Sequence, residues 1–172
     1  MSEIQLETER LILRMWRDDD FDAYAEMCAD PNVMRFLGGV KDRLAAWQHM
    51  AGLVGHWHLR GYGHWAVVEK ASGKFIGRIG FLNPEGWPGF ELGWTLSPEA
   101  QGKGYATEGA SRALEYAFNE MDREHVISLI HPDNKPSIRV AERLGEKLEG
   151  STELLGHDVL IYGIDRTAWR VT

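Results

Sequence analysis

Cysteine is nearly missing from this chain. Cys28 is alone among 172 residues, so no internal disulfide can form, and no zinc-type spacing of Cys and His occurs. Long apolar runs are missing too; none approaches the ~18 residues of a membrane-spanning helix. The opening "MSEIQLETERLILR" lacks the basic, then apolar, then small-residue order of a secretory signal. A cytoplasmic protein without a membrane partner is expected. Basic residues are in deficit, with 19 Lys and Arg against 26 Asp and Glu, a net charge of −7. That argues against a nucleic-acid partner, because phosphate affinity needs clustered Lys and Arg. It is compatible with a cationic partner such as an amine.

What is present is an ordinary globular balance, 44% hydrophobic and 26% charged. The length suits one domain over residues 1–172, with no repeat, low-complexity tract or linker. "ERLILRMW" reads as an early strand, and "DDDFDAYAEMCAD" as a helix with Cys28 on its apolar side, interrupted at Pro31. A second helix is expected from about Asp42 to Leu59, with Leu44, Trp47, Ala51, Val54 and His58 as its stripe. "HWAVVEK", "KFIGRIGFL" and "FELGWTLS" are strands on short turns, an antiparallel meander. The strongest helical pattern follows, carrying Ala106, Ala110, Ala113, Leu114, Ala117, Phe118 and Met121 on one face. "HVISLIHP" is a buried-type strand, "NKPSIRVAERLG" a short helix closed by Gly145, and the rest a hairpin. The expected fold is α+β, a mixed α/β arrangement with a mostly antiparallel sheet of about seven strands and about four helices.

"SPEAQGKGYATEG" places glycines where a helix begins. The first amides of a helix lack internal partners and carry the positive end of its dipole. Glycines there let a large anion reach them, and Lys103 could add charge. The P-loop pattern is absent, and GxGxxG fails at Thr107. By themselves these residues specify either a strand-to-helix turn or an anion site.

Gln101-Gly102-Lys103-Gly104-Tyr105-Ala106 resembles the Q/R-x-x-G-x-G/A signature of the GNAT-type N-acetyltransferases. "TERLILRMWRDDDFDAYAEMCADPNVMRFLGG", "NKPSIRVAERLG" and "HDVLIYGIDRTAWR" resemble segments of the branch containing the ribosomal-protein N-terminal acetyltransferases. The resemblance spans nearly the whole chain. It implies acetyl-CoA as cosubstrate, with the pyrophosphate on the amides from Gly102 to Thr107. It also implies pantetheine pairing along Trp94, Thr95 and Leu96, a contact from Asn134, and a sheet splayed between the strands of Leu96 and Leu129. Homodimers are frequent in the family, which leaves a homodimer as an expectation only. Two positions depart from the pattern: Ala141 stands where many members have a tyrosine acid, and Glu146 where Phe is usual.

The implied reaction sets chemical demands. At pH 7 a lysine amine costs roughly 4.6 kcal/mol to neutralise and an α-amine about 1.2 kcal/mol, at ~1.36 kcal/mol per pKa unit. A modest general base suffices for the latter. Glu91 fits: alternation puts it on the face of Gly93 and Thr95, and the family often has an acid here. A solvated strand carboxylate or a structural ion pair is the plainer reading. Ser137 matches the hydroxyl that the branch offers to the departing sulfur, although local helix capping would also account for it. A backbone N–H at Leu96 would face the developing oxyanion.

In "HWHLRGYGHW", convergence of His56, His58 and His64 on a metal is disfavoured, and no metal is expected. Trp57, Tyr62 and Trp65 are expected to line or cover the acceptor cleft, with core packing of Trp57 and Trp65 as the alternative. His131 reads as a strand-end residue, ranked below Glu91. The acceptor is read as a primary amine, a protein N-terminus or a small molecule, attacked directly in a ternary complex. A CoA-binding sensor without turnover, or an interaction domain, are the rival readings.

Overall fold

The structure is a computed structural model that describes residues 4–169, so the expected bounds of 1–172 run three residues beyond it at each end. Eight strands form one sheet: β1 (Leu6–Glu7), β2 (Leu11–Arg14), β3 (His64–Glu69), β4 (Phe75–Leu82), β5 (Glu91–Leu96), β6 (His125–Ile130), β7 (Lys147–Leu154) and β8 (His157–Asp165). Five α-helices accompany them: α1 (Phe21–Ala29), α2 (Pro31–Met34), α3 (Arg43–Arg60), α4 (Tyr105–Asn119) and α5 (Lys135–Arg143). The sheet order is β1-β2-β3-β4-β5-β6-β8-β7, antiparallel at every junction except β5 with β6. The two elements beyond the sequence expectation are small. β1 is a two-residue strand, and α2 is a single turn that Pro31 opens and Asp30 caps through the amides of Asn32 and Val33.

Alternation along the strands divides the core into two layers. Leu11, Leu13, Trp65, Ile79, Phe81 and Leu92 point to one face, where Ala110, Ala113, Leu114, Ala117 and Phe118 of α4 pack on them. Small residues along α4 bring its axis close to the sheet, as the alanine stripe anticipates. The opposite face is covered by α1, α2 and α3 through Tyr24, Met27, Met34, Met50 and Leu53, with Phe75 and Leu82 against them. Cys28 is buried in this layer.

The face of α3 differs from the sequence reading. Ala46, Met50, Leu53 and Trp57 are buried, whereas Leu44, Trp47, Ala51, Val54 and His58 are exposed. The helix carries apolar residues on both sides, so periodicity fits two stripes equally. The interior selects the one that meets Tyr24 and the sheet.

β3 and β4 approach closely at Gly80. A Cβ built there would lie 2.5 Å from His64 Cα and 2.3 Å from Gly63 O, both backbone atoms that cannot rotate away. Gly80→Ala should therefore push the strands apart and cost about 1–3 kcal/mol, as overpacking does. A lowered urea midpoint with an unchanged slope is the expected result.

Candidate active site

The sheet opens beside β5. Ser97 N–H donates to Ile76 O at 2.8 Å, which turns the odd-numbered backbone groups of β5 toward β4 and the even-numbered ones toward β6. The parallel ladder to β6 holds a single register pair, Glu91 with Ile127. Past it the Ser128 hydroxyl donates to Leu92 O at 2.9 Å, and Gln101 Nε2 donates to Leu96 O at 3.0 Å. Both backbone groups of Trp94 and the N–H of Leu96 face the gap beyond the last ladder pair, with no strand paired to them among the described residues. Thr95, one of the odd-numbered residues, is bonded into β4 and buried. An extended ligand chain can add to this edge as a further strand.

The glycine loop lies just beyond. Gly102 has φ +74° and Gly104 φ +82°, left-handed values that glycine adopts without strain. A Cβ at Gly102 would meet nothing within 4 Å, so the residue answers the backbone angle and leaves open space. The first helical hydrogen bond of α4 runs from Glu108 N–H to Gly104 O, leaving the amides of Tyr105, Ala106 and Thr107 without helical acceptors. Arg10 braces the loop: it donates to Lys103 O at 3.0 Å, pairs with Glu108 at 2.6 Å and lies 4.4 Å over the Tyr105 ring. The Tyr105 hydroxyl donates to Glu69 at 2.6 Å, and the side chain of Lys103 is exposed. Positive-φ glycines, free amides and an open edge are the features that a diphosphate with an extended arm requires.

A cleft of about 650 Å³ occupies the α1–α3 face at the gap. Glu91, Trp94, Thr95, Asn134 and Ser137 all line it, so the expected catalytic pair and three of the cofactor residues converge. Glu91 is half-buried, and Trp87 Nε1 donates to its Oε2 at 2.5 Å. Burial pushes its carboxyl up to about 7, against the opposing pull of Trp87 and Arg78. Asn134 caps α5, its Oδ1 accepting from the Ser137 N–H at 3.3 Å. The cap uses the Ser137 amide and leaves its hydroxyl available to the cleft.

Trp57, Tyr62 and Trp65 lie elsewhere. They are buried in the core, with Trp57 edge-on to Trp65, and none lines the cleft. The expectation that these three line the acceptor cleft is therefore corrected: Trp57 and Trp65 take the core alternative, and Tyr62, for which none was given, packs in the core with them. The cleft aromatics are Phe36, Trp87 and Trp94, and His131 rests on Phe36 at 4.8 Å. His56 Nε2 accepts from Asn83 N–H, so its Nδ1–H donates to Tyr62 O and both nitrogens are used. His58 is exposed.

Sequence reasoning missed His64 and Arg78, which line the cleft from β3 and β4. Two indoles, Trp16 and Trp57, each donate to His64 O at 2.8 Å and fix its backbone. Arg78 donates to His64 Nδ1 at 2.9 Å. Strand alternation, which puts both on the Glu91 face, was the available signal.

Ser128 and Glu146 were missed as a pair. Glu146 is buried, Ser128 Oγ lies 2.9 Å from its Oε1, and burial raises its carboxyl to about 8. At neutral pH the protonated acid donates to Ser128, which in turn donates to Leu92 O. Raised carboxyl values weaken the fold as pH rises. The unfolded chain releases the proton near 4.5 while the folded chain keeps it, so stability falls between those values. Glu146→Gln should match wild type near pH 4.5 and exceed it by a few kcal/mol near pH 8, at ~1.4 kcal/mol per unit. Chemical denaturation at the two pH values checks this.

Comparison with known proteins agrees with this geometry. Residues 10–147 match the family model described as an acetyltransferase (GNAT) domain. The uncharacterized N-acetyltransferase YnaD of Bacillus subtilis is 31% identical over 147 residues, 86% of this chain and 85% of that protein. The [ribosomal protein uS5]-alanine N-acetyltransferase of Escherichia coli is 25% identical over 158 residues, covering 86% and 80%. A crystal structure of an acetyltransferase from Agrobacterium tumefaciens superposes with a TM-score of 0.86 at 33% identity, covering 95% of each chain. With four-fifths of its length inside that family model, the chain belongs to the GNAT acetyltransferase family.

Proposed function

We propose that the protein is an acetyl-CoA-dependent N-acetyltransferase in which a primary amine attacks the thioester directly. The observation that carries this reading is Glu91, a carboxyl raised to about 7 on the wall of a cleft that meets the unpaired edge of β5. A base poised near the working pH combines a useful deprotonated fraction with useful proton affinity.

Bound acetyl-CoA supplies an activated acetyl group. Its pyrophosphate suits the amides of the Gly102–Thr107 turn, with Gln101 holding the turn to Leu96 and Lys103 adding charge. Its pantetheine suits the edge of Trp94, Thr95 and Leu96, with Asn134 across the gap. Glu91 Oε2 is held by Trp87, which leaves Oε1 to take the proton from the amine. The N–H of Leu96, which faces the gap, would serve as the donor to a carbonyl oxygen gaining charge. The Ser137 hydroxyl offers a hydrogen bond to the sulfur, in place of the tyrosine that Ala141 excludes. Among the described residues no cysteine lines the cleft, which favours direct attack by the amine over an acyl-enzyme. The reaction needs no metal, and the acceptor is a peptide N-terminus or a small amine.

Glu91→Gln should lower kcat/KM by about 10²–10⁴-fold, the usual contribution of a general base, and remove the ascending limb near pH 7. Unchanged profiles would reject the base role. Gly102→Asp should abolish acetyl-CoA binding by calorimetry while the fold persists, because it puts a carboxylate where a diphosphate would sit. Ser137→Ala should cost less than Glu91→Gln and act on kcat.

A further inference from the structure

His64 is buried to 1% exposure, and its Nδ1 accepts from Arg78 Nη1. A guanidinium can only donate, so the imidazole proton sits on Nε2. Burial and the adjacent Arg78 charge keep the ring neutral. The Nε2–H has no acceptor among the described residues, and neither has Arg78 Nε–H, although Arg78 is only 9% exposed. No Asp or Glu oxygen among the described residues lies within ion-pair distance of Arg78. A buried guanidinium without a carboxylate is costly, and a buried donor without an acceptor adds to that cost.

These donors meet the catalytic carboxylate over one residue. A Cβ built on Gly93 would lie 3.2 Å from His64 Nε2 and 3.9 Å from Glu91 Oε1. With no side chain at Gly93 the imidazole closes over that residue, and its Nε2–H and the Glu91 carboxyl flank one backbone position in the cleft wall. Charge follows the same polarity. In a chain of net charge −7, the described residues lining the cleft include Arg35, Lys41 and Arg78 but one carboxylate, Glu91.

We propose that the acceptor is an amine that carries its own carboxylate, of the free amino-acid type. Its carboxylate sits on His64 Nε2–H and the Arg78 guanidinium, and its amine sits at Glu91 Oε1. This rests on the acetyl-transfer reading above and names the class of acceptor. The carboxylate supplies the acceptor that both buried donors lack, and Arg78 supplies the charge that balances it. A polyamine offers no anion, and a peptide N-terminus offers an amide carbonyl in place of the carboxylate.

The test is thiol release from acetyl-CoA with the twenty amino acids, their carboxamides, spermidine and N-terminal peptide amides. At least one amino acid should exceed its own carboxamide in kcat/KM by about 100-fold or more, the discrimination expected when buried donors are left unpaired. Arg78→Met should erase most of that ratio through KM, and Arg78→Lys should restore part of it. Thermal melts of each variant guard against misfolding. A direct binding arm uses N-acetylamino acids, which keep the carboxylate but have no free amine. At least one should raise the melting temperature of wild type and fail to raise that of Arg78→Met. Equal turnover of amino acids and carboxamides, or turnover of spermidine or peptides alone, overturns the proposal and leaves acetyl transfer standing. Binding of N-acetylamino acids without turnover of any amine supports the carboxylate seat and overturns the transfer reading. Absence of both overturns the seat.

Discussion

The site depends on a ladder that stops. β5 and β6 run parallel and share one register pair, after which their backbones part. A strand edge inside a sheet is costly to leave unpaired, because each amide and carbonyl wants a partner. Here side chains take over at two points, Ser128 on Leu92 O and Gln101 on Leu96 O, and the groups of Trp94 between them remain open. The opening is thus bounded by two side-chain hydrogen bonds, and the cleft and the free edge lie along it.

Much of this was legible in the residues. The alanine stripe of α4, the meander of β3 to β5 and the glycine turn all come from local pattern, and local pattern is what sequence carries best. Alternation put Glu91 on the correct face. The α3 face was misassigned because Leu44, Trp47 and Val54 make as good a stripe as Ala46, Met50 and Leu53. Only tertiary contact with α1 and the sheet separates the two. Trp57, Tyr62 and Trp65 could be either core or cleft for the same reason. Proximity in sequence to a cleft-bordering loop says nothing about which side of the sheet a ring enters.

The polar floor of the cleft was legible in principle but unread. His64, Arg78 and Glu91 come from three strands, and their convergence is a matter of register. His64 pairs with Gly80, and Gly80 pairs with Gly93. Two glycines in one row across the sheet leave room for the imidazole to lie flat over its neighbours. Glu146 posed a different difficulty. A glutamate after Leu144-Gly145 has no local signature of burial, and its partner Ser128 is eighteen residues away.

The arrangement of His64 also restricts how protons move in the cleft. A histidine between a carboxylate and a buried arginine would ordinarily suggest a relay. This ring can neither pick up a proton nor pass one along: its Nδ1 lone pair is held by Arg78, and its Nε2 already bears hydrogen. Relaying would require the guanidinium to withdraw first, giving up its bond to the ring. The proton taken from an amine is therefore left to Glu91, and the imidazole acts as a wall of fixed polarity.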